Sequence, residues 1–239
     1  MKSNKKTFLK LAVLCTSIIG ASFAHAIEVF PIVKEIQEST PRDNFITIKS
    51  AFRPVDTDTD DKSAKQQYEF VTLELFSINN PGDEKEKLTK ELGKDSPWLV
   101  FSPTRLVVPY GEMRKVRIMP MKPVEKEQLF RLRVRPSYPE DSLNPGKVRF
   151  AVGYDVLLRY LPAGTHTQSI EMKCQGNKWT VWATGNVRSE MRNLVIDGRK
   201  DQKAFNVYPD HPRVLTVNNT LAFEMNGKVQ NYNSCRVKE

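Results

Sequence analysis

The sequence predicts an all-β protein of antiparallel sandwich type, and three observations lead to that prediction. After position 26 the chain is a succession of short runs rich in β-branched and aromatic residues. Turn segments that contain proline or glycine, such as NNPGD, VVPYGE and LNPGK, separate several of these runs. Helical periodicity is nearly absent, and DEKEKLTKELG at 83–93 is the one segment expected to form a short exposed helix. Many short strands with turn signals at this spacing are typical of a sandwich.

The first 26 residues have the three-part pattern of a secretory signal peptide. MKSNKKTFLK supplies four lysines and no acid, LAVLCTSIIGASF is an apolar core, and small residues stand at Ala24 and Ala26. The apolar core is shorter than the roughly 20 residues that span a membrane. We therefore expect cleavage after Ala26, export, and no insertion into the membrane.

The charge pattern predicts no nucleic-acid partner. The chain carries a net charge of +9, and loss of the four signal lysines leaves +5. Because the remaining cations are mixed with acids, as in KQQYE and DEKEKLTKE, they indicate solvated faces rather than a basic patch. A mild positive excess still suits a partner that carries carboxylates.

The first group of predicted strands ends in an unusually long one. The shorter runs are IEVFPIVKEI, FITIKSAF, YEFVTLELFSI, WLVF, RLVV, KVRIMPM and LFRLRVR.

The long run, VRFAVGYDVLLRYLP at 148–162, alternates with a period of two, as a half-buried strand does. It keeps this register for about twice the usual 5–6 residues, which predicts a strand over about 147–160. Its apolar face carries Val148, Phe150, Val152, Tyr154, Val156, Leu158 and Tyr160. Such a stripe either packs inside its own sandwich or is offered to another chain by β-augmentation.

A second group of runs begins after a break at Pro162 and Gly164. It comprises SIEMKC, WTVWAT, RNLVID, AFNVY, RVLTV and LAFEM. The sequence therefore predicts a larger domain over 27–161 and a smaller β domain over 162–239.

Two cysteines remain after loss of the signal, which removes Cys15. Cys174 and Cys235 form an even pair in an exported protein, so we expect a disulfide between an early and a late strand of the second domain rather than two free thiols. Their spacing matches no metal site.

The sequence contains no recognisable catalytic, metal or cofactor motif. It has no G-x-S-x-G elbow, H-E-x-x-H pair, phosphate loop or dinucleotide fingerprint. The acidic segment VDTDTDDKSAKQQ at 55–67 hints at calcium but lacks the glycine and the distal glutamate of an EF-hand loop. We therefore expect a binding protein without metal or cofactor, with a hydrolase using a dispersed acid pair as a remote alternative.

The order of motifs in the first domain resembles that of periplasmic chaperones of the chaperone–usher pathway. WLVFSPTRLVVPYGEMRKVRI is followed by EKEQLFRLRVRPSYP and then by the long strand that ends in RYLP. VFPIVKEI near the mature start and GNVR at 185–188 are similar to the alternate class, which serves colonisation-factor-type fimbriae. The resemblance covers most of 27–162 well and 163–239 loosely.

The resemblance implies two immunoglobulin-like domains in a boomerang arrangement and a non-enzymatic, ATP-independent role. Such chaperones hold fimbrial subunits (pilins) that lack a strand, and they deliver them to an outer-membrane usher from the periplasm. Their long G1 strand completes the subunit by donor-strand complementation. By position, the donor residues here are Val148, Phe150, Val152 and Tyr154, while Val156, Leu158 and Tyr160 face the chaperone's own core.

The resemblance also implies an anchor for the terminal carboxylate of the pilin, and here the sequence departs from the better-known members. Leu157 stands where those members have a lysine on G1, so Arg159 is the nearest cation, with Lys34 on the first strand. Lys34 and Arg159 are therefore the candidate anchor, against the alternative of two ordinary surface cations. On this basis we expect Arg159→Ala to weaken binding without changing thermal stability.

Two questions of identity stay open at this point. A secreted β-sandwich adhesin or structural pilus component is the main alternative to a chaperone, although a second domain argues against it. The sequence identifies neither the pilus system nor a self-capping dimer of the free protein.

Overall fold

The computed structural model describes residues 27–51, 68–137, 152–201 and 204–237. The signal peptide, the acidic segment at 55–67 and the donor candidates Val148 and Phe150 lie outside these described residues. Within the described ranges all regular structure is β-strand, as the sequence predicts.

The first half of the chain contains ten described strands. They are β1 (Ile27–Phe30), β2 (Val33–Ile36), β3 (Phe45–Ser50), β4 (Tyr68–Ile78), β5 (Leu88–Lys90), β6 (Leu99–Ser102), β7 (Arg105–Pro109), β8 (Met113–Pro120), β9 (Gln128–Pro136) and β10 (Tyr154–Tyr160).

These strands form two sheets that enclose one apolar core. One sheet has the order β1-β3-β8-β6, and the other has the order β2-β10-β9-β4-β5, with β7 also paired to β4. The chain crosses from the first sheet to the second between β1 and β2. β2 pairs parallel with β10, and the other described strands of this half pair antiparallel. Alternate residues of each strand point into the core, among them Ile36, Ile46, Leu132, Val156 and Leu158.

The second half contains nine described strands. They are β11 (Ile170–Gln175), β12 (Lys178–Ala183), β13 (Ser189–Ile196), β14 (Arg199–Lys200), β15 (Phe205–Val207), β16 (Arg213–Thr216), β17 (Thr220–Met225), β18 (Lys228–Asn233) and β19 (Arg236–Val237).

These nine strands form a second sandwich with its own core. Its sheets have the orders β11-β12-β16 and β14-β13-β17-β18-β19, with β15 also paired to β13. Trp179, Val181 and Phe223 are among the residues of its core. The predicted boundary near Pro162 falls in the segment between β10 and β11.

The structure joins Cys174 and Cys235 by a disulfide, which confirms the predicted pairing. Cys174 lies in β11, an early strand of the second sandwich, and Cys235 lies in the turn between β18 and β19. Both cysteines pack against the second core. The bridge therefore ties the last described turn to the opposite sheet.

The helix predicted at 83–93 is wrong. Leu88–Lys90 is instead the strand β5, which pairs antiparallel with Phe76–Ile78 of β4. The segment has a helix-like charge pattern, but Leu88 packs beside the buried Ile78 once it extends along the sheet. Tertiary pairing therefore overrides local propensity.

The described part of the predicted long strand is shorter than the whole prediction over about 147–160. The strand assignment starts at Tyr154, and Val152 and Gly153 precede it without regular structure. The described strand β10 comprises the seven residues Tyr154–Tyr160, and the predicted positions 147–151 lie outside the described part of the chain.

Candidate functional site

The core face of β10 belongs to the first sandwich. Val156, Leu158 and Tyr160 are almost completely buried and pack in the first core. The expectation that these three residues face the protein's own core is therefore confirmed. Burial raises the pKa of Tyr160, whose hydroxyl donates to the carbonyl oxygen of Lys122 at 2.7 Å and also contacts Glu38.

The first part of β10 has an open edge. β9 pairs with β10 over its whole length, whereas β2 pairs with it only at Leu157–Tyr160. The N–H of Leu157 donates to the Ile32 carbonyl at 2.9 Å, so strand alternation directs the N–H of Asp155 towards the same side, ahead of β2. Among the described residues, Tyr154–Val156 therefore presents a sheet edge to which another strand can add.

The two described donor candidates differ in availability. Val152 is 49% exposed and precedes the open edge. Tyr154 is partly buried against the first core, and its hydroxyl donates to the Ile27 carbonyl at 3.0 Å. Ile32, just before β2, and Val33, its first residue, are also about half exposed. Val152 therefore has the free apolar surface that a donor residue needs, while Tyr154 holds β10 to β1.

The outward face of β10 is fixed by a bidentate ion pair. Arg133 of β9 stands opposite Asp155, and its Nε and Nη2 donate to the two carboxylate oxygens at 2.8 and 2.9 Å. These hydrogen bonds lower the pKa of Asp155 and raise that of Arg133. Two parallel N–H···O bonds are the strong arrangement for such a pair, so the open edge is held in a defined position.

Arg159, three residues past the open edge, is nine-tenths buried and bound by two glutamates. Its Nε and Nη2 donate to Glu127 at 2.6 and 3.2 Å, and its Nη1 donates to Glu35 at 2.7 Å. Burial alone lowers the pKa of the guanidinium, but the hydrogen bonds and charges of Glu127 and Glu35 outweigh it, so the pKa is raised. The expectation that Arg159→Ala leaves thermal stability unchanged does not fit this environment, because the substitution would leave Glu127 buried without its cation.

Glu127 also connects Arg159 to the second sandwich. Its Oε2 accepts from the N–H of Arg188 at 2.6 Å, and its own N–H donates to the Asn186 carbonyl at 2.9 Å. Next to it, Lys126 pairs with Asp210 at 2.6 Å.

A small apolar cluster lies at the same junction. Tyr208 of the second half packs there with Leu129 and Ile78 of the first. Arg159 and Glu127 therefore lie where the two halves of the chain meet.

Lys34 does not join Arg159. The parallel register places Lys34 beside Leu158 and places Glu35 beside Arg159, so Lys34 and Arg159 lie on opposite faces of the sheet. The ammonium of Lys34 is 5.9 Å from the centroid of the Phe45 ring, which Lys115 approaches to 4.1 Å. The convergence of Lys34 and Arg159 expected from sequence is therefore corrected.

The partners of Arg159 were not predicted from the sequence. Glu35 and Glu127 are separated by more than ninety positions in the chain. Their convergence depends on the β2–β10 register and on the path of the segment before β9. The sequence shows Glu35 next to the candidate Lys34, but this adjacency does not predict that Glu35 binds Arg159.

Other kinds of site find no support in the described part of the chain. Across the described ranges no group of three or more histidine, cysteine, aspartate or glutamate side chains is arranged to hold a metal ion. In the same ranges there is no helix with the length and apolar character that a membrane crossing requires.

Comparison with known proteins gives related findings from sequence and from structure. No protein-family model matches the chain. A CFA/I fimbrial subunit of Escherichia coli is 25% identical over 183 residues, which are 67% of this chain and 74% of that protein.

Solved structures similar to this one include fimbrial chaperones. The crystal structure of the class 5 fimbriae chaperone CfaA has a TM-score of 0.65 at 17% identity and covers 89% of this chain and 99% of its own. A chain from the chaperone–tip adhesin complex of CFA/I fimbriae biogenesis has a TM-score of 0.66 at 17% identity, covering 89% of this chain and 98% of its own. The chain therefore has the two-sandwich fold of the pilus-assembly chaperones of the chaperone–usher pathway.

Proposed function

We propose that this protein is a periplasmic chaperone that binds fimbrial subunits by strand donation and delivers them to an outer-membrane usher. The observation that carries the proposal is the open edge of β10, where Tyr154–Val156 pairs on one side only among the described residues and follows the exposed Val152. The similar solved structures support it, since they include chaperone–adhesin and chaperone–pilin complexes. This role needs no catalytic step, cofactor or nucleotide.

The driving forces follow from the geometry of the edge. A pilin strand along β10 would gain main-chain hydrogen bonds with the open edge at Tyr154–Val156. Each buried apolar donor side chain adds about 1.5–3 kcal/mol before the cost of association. We assign the donor role to Val148, Phe150 and Val152, with Tyr154 at the boundary between donation and the chaperone's own packing.

Arg159 is the cation that we assign to the terminal carboxylate of the pilin. It lies on the outward face just beyond the open edge, and it keeps a bound partner, Glu127, on its inner side. Lys34 has no part in that site in this arrangement, because its side chain lies on the other face of the sheet.

A structural pilus component is the second candidate function, because the sequence relative is named as a fimbrial subunit. The two functions differ in where the protein is found. A pilus component is incorporated into purified fimbriae, whereas a chaperone is released before assembly. Finding this protein as a stoichiometric component of sheared, washed fimbriae would overturn the chaperone proposal.

Co-expression with the fimbrial subunits of the same gene cluster tests the proposed function directly. We expect a one-to-one complex to be recovered from the periplasm and Val152→Ser to reduce its yield. Val214→Ser is the matched control, since Val214 is 47% exposed on β16, away from the edge. Equal losses from both substitutions would show that the edge is not the binding site.

Export is tested by the mass of the recovered protein. We expect the periplasmic form to begin at Ile27 and to lack the first 26 residues. Recovery of the full-length chain from the cytoplasm would contradict the assigned compartment.

A further inference from the structure

Among the described residues, hydrogen bonds occupy three of the five N–H donors of Arg159. An arginine side chain has five N–H donors, and Glu127 takes two of them while Glu35 takes one. The two carboxylates approach from different sides. Glu127 binds the Nε and Nη2 side from within the protein, and Glu35 binds Nη1 from the edge strand β2.

The two glutamates differ sharply in exposure and in their other contacts. The Glu127 side chain is 0% exposed and also accepts the N–H of Arg188, so it is fixed between the two halves. The Glu35 side chain is 52% exposed, and Arg159 is its single hydrogen-bond partner within the described residues. Release of Glu127 from Arg159 would leave a buried carboxylate without its counter-charge. Release of Glu35 would not, because its side chain is half exposed.

We propose that Glu35 is a resident competitor at this site: it occupies the outer side of Arg159 until the terminal carboxylate of a bound pilin displaces it. This inference rests on the proposed function and names a residue that sets the affinity of its anchor. A carboxylate arriving from solvent reaches Arg159 on the side of Glu35, because Glu127 closes the other side.

Replacement of Glu35 by the pilin carboxylate exchanges one ion pair of Arg159 for another, so its net free-energy change is small. In the free protein Glu35 supplies a partner for a guanidinium that is nine-tenths buried, whose donors would otherwise be poorly satisfied. An ion pair with one half-exposed member contributes little to stability, so a pilin carboxylate can replace it. The Glu35–Arg159 ion pair forms again when the pilin leaves, and its formation favours release of the pilin.

A four-way binding measurement tests the proposal. The probe is a synthetic peptide of the C-terminal strand of the pilin that co-purifies with the protein, made with a terminal acid and with a terminal amide. Binding of each peptide is measured by calorimetry to the wild type and to Glu35→Gln. We expect the substitution to tighten binding of the acid by about three- to fivefold and to leave the amide unchanged.

Glu28→Gln is the matched control. Glu28 on β1 has a side chain that is 51% exposed and pairs with Lys49 at 3.7 Å, but it lies on the other sheet. Its substitution should change neither peptide's affinity. Thermal melts of both variants establish that each remains folded.

The outcomes separate the inference from the proposed function. Weaker binding of both peptides to Glu35→Gln would show that Glu35 only secures β2, and unchanged binding of the acid would show that it does not compete. Equal affinity of acid and amide for the wild type would remove the anchor and the role of Glu35 while leaving strand donation intact. Failure of both peptides to bind the wild type would overturn the proposed function itself.

Discussion

At the scale of single residues, the charged groups around Arg159 divide into a buried pair and an exposed one. Desolvation makes a buried charge costly, so removal of one partner leaves the other in an unfavourable environment. Glu127 and Arg159 form the buried pair, and Glu35 and Arg159 form the exposed one. Because Glu127 and Glu35 pair with the same arginine, the effect of burial on the stability of an ion pair can be compared directly.

We predict that Glu127→Gln lowers the free energy of unfolding by about 3 kcal/mol, because it removes the buried counter-charge of Arg159. Glu35→Gln should change it by less than about 1 kcal/mol, since that pair is half exposed. Urea unfolding of the two variants measures both values. Equal effects would show that burial does not separate the two glutamates.

Asp197 is a second residue whose negative charge stabilises the fold. Its carboxylate accepts the backbone N–H groups of Asn218, Asn219 and Thr220 at 2.7–3.0 Å, at the start of β17. These hydrogen bonds lower its pKa from 3.8 to about 2. A pKa that is depressed in the folded state contributes stability above the unfolded value, and that contribution is lost as the pH falls.

We therefore predict that the wild type loses stability between about pH 4 and about pH 2 in part through Asp197. Asp197→Asn should be less stable than the wild type at neutral pH, and the difference should shrink across that acid range. Urea midpoints measured over the same pH series test this. A difference that is independent of pH would show that the hydrogen bonds do not depend on the charge.

At the scale of one element, β10 has two unlike parts. From Leu157 onward it lies between β2 and β9, whereas Tyr154–Val156 pairs with β9 alone in the part of the chain that the structure describes. Backbone amides that lack a ladder partner exchange with solvent more readily than paired ones. This contrast gives a direct probe of the open edge.

We predict that the amide of Asp155 exchanges rapidly in the free protein and at least about tenfold more slowly in complex with a fimbrial subunit. The amide of Leu157, already bonded to Ile32, should be protected in both states. Hydrogen–deuterium exchange followed by NMR measures the two positions in one experiment. Fast exchange of Asp155 in the complex would mean that the pilin strand does not pair there.

At the scale of the whole molecule, the two sandwiches are stabilised differently. The chain from β1 to β10 of the first sandwich contains no cysteine, while the second sandwich has the Cys174–Cys235 bridge with a sequence separation of 61. In the chain-entropy model a loop of this length contributes about 4 kcal/mol by restricting the unfolded state. The second sandwich should therefore depend on oxidation, and the first should not.

We predict that Cys174→Ala with Cys235→Ala lowers the stability of the second sandwich by about 4 kcal/mol and that of the first far less. NMR signals of Trp179, in the second core, and of Leu132, in the first core, report the two parts separately. Two free thiols in the denatured, unreduced wild type would contradict the bridge.

The sequence alone determined the fold class, the disulfide and the core face of β10. Alternation with a period of two records which side of a strand is buried, so Val156, Leu158 and Tyr160 were predictable from local pattern. An even pair of cysteines in a chain that is expected to be exported predicts its own pairing. These features depend on residues close in sequence or on composition.

The tertiary structure alone decided the character of the anchor. The sequence shows Lys34 and Glu35 as neighbours, and their faces depend on the parallel register with β10, which brings Glu35 to Arg159 and turns Lys34 towards Phe45. The helix expected at 83–93 was wrong for the same reason, since pairing with β4 decides the conformation of Leu88–Lys90. Register between distant strands is set by the packing of the whole sandwich, and a one-residue shift exchanges the faces of a strand.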